Sequence, residues 1–151
     1  MKNTIKIIWC LVALMFAFNA NAKVEKSEIL GSWIQSVSQN GVTLISTYDF
    51  HADNTVTQWV FLSCASPKID IVGDATCAYV FDNDAITFKF SGSDFNFTKL
   101  EVEGMTPEQL EAYKRELSKQ FNMESKMTNI KVKGNTMTAK SDGQKIELKR
   151  K

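Results

Sequence analysis

The side chains able to do chemistry in this 151-residue chain are few, and their spacing limits what that chemistry is. His51 is the only histidine, with Asp49 and Asp53 two residues to either side, so on a regular strand the three share one face. Such a trio is at most a weak cation site, because a metal normally requires converging ligands from elsewhere in the chain. The simpler reading is a solvated face leading into a turn, and no metal is expected. With one histidine and no Gly-rich phosphate loop, neither a Ser-His-Asp arrangement nor a nucleotide site has a motif behind it. Asp82 and Asp84 read as turn formers rather than paired catalytic acids. The expectation is a protein that is not an enzyme, with no catalytic residue and no cofactor.

Cysteine is the remaining reactive type, and the start of the chain sets its context. Lys2 and Lys6 precede an apolar run from Ile7 to Phe18, and Ala20-Asn21-Ala22 supplies a small-x-small cleavage pattern before Lys23. Residues 1–22 therefore read as a cleaved signal peptide, and residues 23–151 as a single domain that is periplasmic or secreted. The run is shorter than the roughly 20 residues a spanning helix needs, and Cys10 lacks the surroundings of a lipidation site, so no stable membrane anchor is expected. Cleavage removes two of 18 basic residues and none of 17 acidic ones, giving a formal charge of 16 − 17 = −1, which argues against nucleic acid. Cys64 and Cys77 remain, and in an oxidising compartment they are expected to form a disulfide. Closing a loop of about 14 residues would contribute roughly 3 kcal/mol on the chain-entropy model.

The elements that must position these residues are short alternating segments separated by turn chemistry. Asn40-Gly41, Asp53-Asn54, Asp82-Asn83-Asp84, Ser91-Gly92, Gly134-Asn135 and Asp142-Gly143 punctuate strands predicted near 31–38, 42–50, 55–63, 76–81, 85–90, 95–101, 128–133, 135–140 and 144–150, with a weaker one near 69–72. Even spacing of this kind predicts a mainly β fold, an antiparallel up-and-down barrel, since so many strands in one small domain must close to avoid exposed edges.

Alternation predicts the interior. Leu44, Tyr48 and Phe50 share one face against Thr43, Thr47, Asp49 and His51, and Ile86, Phe88 and Phe90 oppose Thr87 and Lys89. Around Thr55 to Ser63 both parities are apolar, because Val56, Val60 and Leu62 oppose Trp59 and Phe61, so an outer cover is required. One helix is available, over 105–121. Thr106 is its N-cap, Pro107 its first residue and Gln109 the capping-box partner, while Leu110, Tyr113, Leu117 and Phe121 form its apolar stripe.

Leu30-Gly31-Ser32-Trp33 resembles the glycine-x-tryptophan motif opening the first strand of lipocalins, and 48–56 is similar to the second-to-third strand hairpin of small bacterial lipocalin-like domains of calycin type. The resemblance implies that Trp33 closes one barrel end with a basic residue of the last strand over its ring, and Arg150 is the matching candidate, a cation–π contact of roughly 0.5–2 kcal/mol. One departure stands out: a lipocalin carries its main helix after the eighth strand, whereas strand-like segments follow the helix here. The resemblance also implies a small hydrophobic ligand in an aromatic-lined barrel, with Tyr48, Phe88, Phe90, Phe95 and Phe97 as lining candidates. A Phe-rich interior is equally compatible with a filled core.

A protein partner is the alternative. Residues 42–86 carry six Asp against Lys68 alone, and 123–151 carry eight basic residues against three acidic ones, a segregation that either steers a partner or is neutralised across adjacent strands. Ser91-Gly92-Ser93-Asp94-Phe95 resembles, in one loop, the Ser-Gly-x-x-Tyr loop of periplasmic lysozyme inhibitors. A periplasmic inhibitor or immunity protein of a hydrolase would present that loop or the Cys64 to Cys77 excursion, held rigid by the disulfide.

Overall fold

A computed structural model describes residues 23–91, 94–120 and 124–151. The expected signal peptide, Gly92 and Ser93 of the inhibitor-like loop, and Phe121 of the helix stripe lie outside the described residues.

In chain order the elements are α1 (Lys26–Ile29), β1 (Gly31–Gln39), β2 (Val42–Phe50), β3 (Thr55–Ala65), β4 (Lys68–Asp82), β5 (Ala85–Lys89), β6 (Asn96–Val102), α2 (Pro107–Gln120), β7 (Glu124–Lys133), β8 (Thr136–Ser141) and β9 (Gln144–Arg150). Eight strands close an antiparallel barrel in the ring order β1-β2-β3-β4-β5-β7-β8-β9, and the ring is completed where Trp33 and Ile34 of β1 pair with Arg150 and Lys149 of β9. With α2 as its one long helix, the architecture is consistent with calycin-type barrels in general. Strand β6 stands outside the ring, paired with the first part of β4 from Ile69↔Val102 to Asp74↔Asn96. The chain therefore inserts one strand and α2 between two ring strands, and β7 to β9 then finish the closure.

Turn chemistry sets the hairpins. Asn40, Gly41, Asn54, Asn83, Gly134, Asp142 and Gly143 all hold positive φ at the connections, a conformation that Gly, Asn and Asp adopt at least cost. Between the two segments read as separate strands at 69–72 and 76–81 the chain does not turn, and β4 runs through as one strand of 15 residues. Gly73 allows this: a Cβ there would lie 2.5 Å from a Phe95 ring carbon and 2.6 Å from the Asn96 carbonyl, so only glycine lets the Phe95 ring settle on the strand.

The expected disulfide between Cys64 and Cys77 is absent, and both thiols are free. The register of the β3–β4 hairpin is the cause. Cys64 faces Ile69, whereas Cys77 faces Val56, 64 − 56 = 8 residues along β3. At a strand rise of about 3.3 Å per residue the two lie roughly 26 Å apart. A disulfide needs Cα atoms within about 7 Å. The intervening residues form a regular hairpin rather than a pinned loop.

Helix α2 begins as its sequence dictates. Gln109 donates its backbone N–H to Thr106 Oγ1 (3.3 Å) while the Thr106 N–H donates to Gln109 Oε1 (2.8 Å), so both halves of the capping box are made. Its main neighbour is β6, where Lys114 Nζ sits 6.0 Å from the Phe97 ring centroid, and Leu110, Tyr113 and Leu117 are half-buried. The helix does not shield the outer face of β3, and Trp59 and Phe61 remain 46% and 38% exposed. Among the described residues no helix is long and apolar enough to cross a membrane.

Candidate functional site: a concave apolar face

Register places the inward residues of the β1–β2–β3–β4 wall in rows. Trp33 faces Tyr48, Tyr48 faces Gln58 and Gln58 faces Ala75, so these four share the inner surface, and alternation carries the same surface along each strand. Burial along those rows is not uniform. On β1 it runs from Trp33, fully buried, to Val37, 46% exposed; on β2 from Phe50 at 2% to Leu44 at 37% and Val42 at 38%. One end of the wall is roofed by β5 and β7 to β9, and the other projects beyond them with its inner face open.

The roofed end is a cluster of buried side chains in mutual contact. Phe50 stacks near Tyr48 (centroids 6.3 Å apart) and meets Tyr79 edge-on at 5.3 Å, Tyr48 lies 6.1 Å from Phe88, and Phe88 meets Phe90 at 5.3 Å. Gln58 Nε2 donates to the Tyr48 hydroxyl at 3.2 Å, and burial pushes the Tyr48 phenol above its ordinary range. Tyr79 donates its hydroxyl to the His51 carbonyl at 3.0 Å, which joins this core to the β2–β3 turn. At the mouth of the same end the Arg150 guanidinium lies 4.2 Å from the Trp33 ring centroid and donates to the carbonyls of Leu30 and Glu28, each at 2.9 Å. Trp33 Nε1 donates to the Ile29 carbonyl at 2.7 Å, so α1 and the last strand together cap the indole.

The open end differs in kind. Val37, Gln39, Asn40, Val42, Leu44 and Leu62 line a groove of about 340 Å³. Beyond Leu62 the same inner surface continues through Ile71, which is buried, to Leu100 of β6. A second cleft of about 320 Å³ lies between β6 and α2, bounded by Phe97, Leu100, Leu110 and Lys114 among others. The groove at the strand ends is lined by aliphatic side chains with Gln39 and Asn40 beside them, whereas Lys99, Glu111 and Lys114 bring charge to the cleft.

Of the five aromatic lining candidates, Tyr48, Phe88 and Phe90 lie in the roofed core; Phe95 is buried against Gly73, and Phe97, 4.6 Å from it in an edge-on pair, is half-buried at the helix cleft. Val37, Val42 and Leu62, none of them aromatic, continue the inward parity of Trp33, Tyr48 and Val56 to the strand ends, and that alternation is the sequence signal that marks them.

Asp49, His51 and Asp53 go to separate partners. Ser32 Oγ donates to Asp49, Thr57 Oγ1 stands 3.5 Å from His51 Nε2, and Asp53 accepts from the Thr55 N–H (3.0 Å) and hydroxyl (2.6 Å), contacts that hold its carboxyl below the ordinary range. Among the described residues no three His, Cys, Asp or Glu side chains gather as a metal site would require.

No protein-family model matches this chain, and no curated protein matches it.

Proposed function

We propose that this is a periplasmic or secreted lipocalin-like protein, not an enzyme, that binds a small apolar ligand. The observation carrying the reading is the exposure of Val37, Val42 and Leu44 on the inner face of a barrel wall whose other end is a packed core. Inward aliphatic side chains left open to water favour an apolar occupant, at about 25 cal/mol for each Å² covered. The ligand sits on the open half against Leu44, Leu62 and Ile71, with the aromatic core as its floor. An aliphatic lining without a fixed charge suits an acyl or isoprenoid-like chain better than a polar metabolite.

The test uses 1-anilinonaphthalene-8-sulfonate as a fluorescent apolar probe on the purified protein, followed by native mass spectrometry of protein taken from its own cells. Probe binding should fall at least tenfold in Leu44→Asp and stay unchanged in Trp59→Ser. Equal binding by both variants, or none by the unaltered protein, rules out the groove.

One observation favours the second reading, a periplasmic inhibitor or immunity protein of a hydrolase. Trp59 and Phe61 stand exposed on the outer face of β3, and exposed aromatics of this size are typical anchors of protein interfaces. That reading now rests on a sheet face, since the hairpin between Cys64 and Cys77 is neither a loop nor cross-linked.

A further inference from the structure

The barrel is electrically polarised between two opposite walls. In the ring order β1-β2-β3-β4-β5-β7-β8-β9, β8 is four places from β3 in either direction, so β7–β8–β9 stands across the barrel from β2–β3–β4. The register Lys131↔Thr138↔Glu147, together with Thr128↔Lys140↔Lys145 and Lys133↔Thr136↔Lys149, sets these side chains on the outer surface, because Met137, Ala139 and Leu148 between them are buried inside. Lys126, Lys131, Lys133, Lys140, Lys145 and Lys149 are all exposed on this wall. The carboxylates on its strands are Glu147, 2.7 Å from Lys149, and Glu124, directly opposite Lys89 of β5, and Asp142 is exposed in the β8–β9 turn. The opposite outer wall carries Asp49, Asp70, Asp74 and Asp82, with Lys68 on the same strands and Lys99 of β6 bound to Asp70 at 3.0 Å. Among the described residues no ion pair joins the two walls, and of the six aspartates in 42–86 it is Asp84, at the β4–β5 turn, that lines a hollow with Lys131, Lys140 and Lys145.

The arrangement works against stability. Lys140 and Lys145 occupy directly opposite positions on β8 and β9, a like-charge cross-strand pair that is unfavourable. Over 133 − 126 = 7 residues of β7 and two strand spacings, the lysines cover an area of roughly 23 by 10 Å. Between them lie Thr128, Thr136 and Thr138 and the Glu147 carboxylate, with no aromatic side chain and no arginine on these outward positions, and Val24 and Val132 border a hollow beside Lys131 and Lys133. A protein partner needs an anchor residue for its binding energy, and recognition of a single carboxylate or phosphate favours the arginine fork. An array of hydrated point charges instead suits a partner that presents a continuous negative field.

We infer that the β7–β8–β9 wall docks reversibly and electrostatically on an anionic phospholipid bilayer, with the acidic β2–β3–β4 wall turned away from it. The polarity of the barrel orients the molecule as well as attracting it, since each wall acts in the same sense. This inference is independent of the apolar-ligand reading.

Flotation of the purified protein with vesicles of phosphatidylcholine alone, and of phosphatidylcholine with 30% phosphatidylglycerol, tests it at low salt. The protein should float only with the anionic vesicles and should leave them in about 0.5 M NaCl, where the Debye length is only a few ångströms. The triple variant K131Q/K140Q/K145Q should lower the partition coefficient about 100-fold, at about fivefold per lysine. The variant D70N/D74N, altered on the opposite wall, should bind no more weakly than the unaltered protein. Absence of anionic-vesicle binding, or unchanged binding by the triple variant, overturns the inference. Binding of a duplex DNA of mixed sequence as tightly as the vesicles, at the same salt, also overturns it in favour of a general polyanion site.

Discussion

The two halves of the β1–β4 wall are built from the same alternating pattern and end in opposite states. At the roofed half, inward side chains meet inward side chains from β5 and β7 to β9, and Trp33, Phe50, Val56, Ile86 and Leu148 are at most 2% exposed. At the projecting half the same parity brings Val37, Val42 and Leu44 to an open surface. Alternation decides which side of a strand is apolar; whether that side becomes core or open surface depends on what stands across from it. Under the proposed function the contrast also separates the source of stability from the source of binding. A residue whose loss unfolds the protein is expected at one end, and a residue whose loss leaves it folded but unable to bind at the other.

The sharpest test of that division compares one truncation in each half. Phe50→Ala removes a ring in contact with Tyr48 and Tyr79 and should cost about 3–5 kcal/mol in denaturant unfolding, whereas Leu44→Ala should cost under about 1 kcal/mol while weakening apolar-probe binding. Equal costs would erase the distinction between core and groove. Gly73→Ala probes the junction between the halves. Its new methyl meets the Phe95 ring and the Asn96 backbone, and overpacking there should cost about 1–3 kcal/mol, with relief in the double variant Gly73→Ala/Phe95→Leu.

A smaller effect is expected at the mouth of the roofed end. Arg150→Ala removes the guanidinium from the Trp33 face and frees the Leu30 and Glu28 carbonyls, a loss of about 1–2 kcal/mol that Arg150→Lys should restore only in part. The smallest effect is read from the thiols. Burial pushes the Cys77 thiol up to about 11, so the fold favours its neutral form. Its contribution to stability is complete below the ordinary thiol value of 9.0 and is lost as pH rises from there through about 11, a dependence that Cys77→Ala should abolish in unfolding curves. At pH 8 iodoacetamide should label Cys64 before Cys77, and mass spectrometry without reductant should find both thiols alkylated once the chain is unfolded.

Much of the fold was legible because its signals act over short distances. Positive-φ residues at Asn40-Gly41, Asn54, Asn83, Gly134 and Asp142-Gly143 marked the hairpins, and Thr106 with Gln109 marked the start of the helix. The break expected near Gly73 misled for an equally local reason: a glycine that usually ends a strand here makes room for the Phe95 ring, supplied from 22 residues further along the chain. The candidate site was less legible. Aromatic content pointed to Tyr48, Phe88 and Phe90, which pack against each other, while the exposed inner surface belongs to aliphatic residues at the strand ends.

What the amino-acid sequence determined by itself was the set of elements, their faces and their turns, since alternation, capping and turn conformation depend on residues only a few positions apart. Tertiary structure alone decided three things. The β3–β4 register separated Cys64 from Cys77, the projection of one wall beyond the other left Val37 and Leu44 open, and the order of strands around the ring set the lysines of β7 to β9 across from the aspartates of β2 to β4. Each is a relation between segments distant in sequence, set by how strand lengths and registers sum around a closed barrel, and no local pattern encodes that sum.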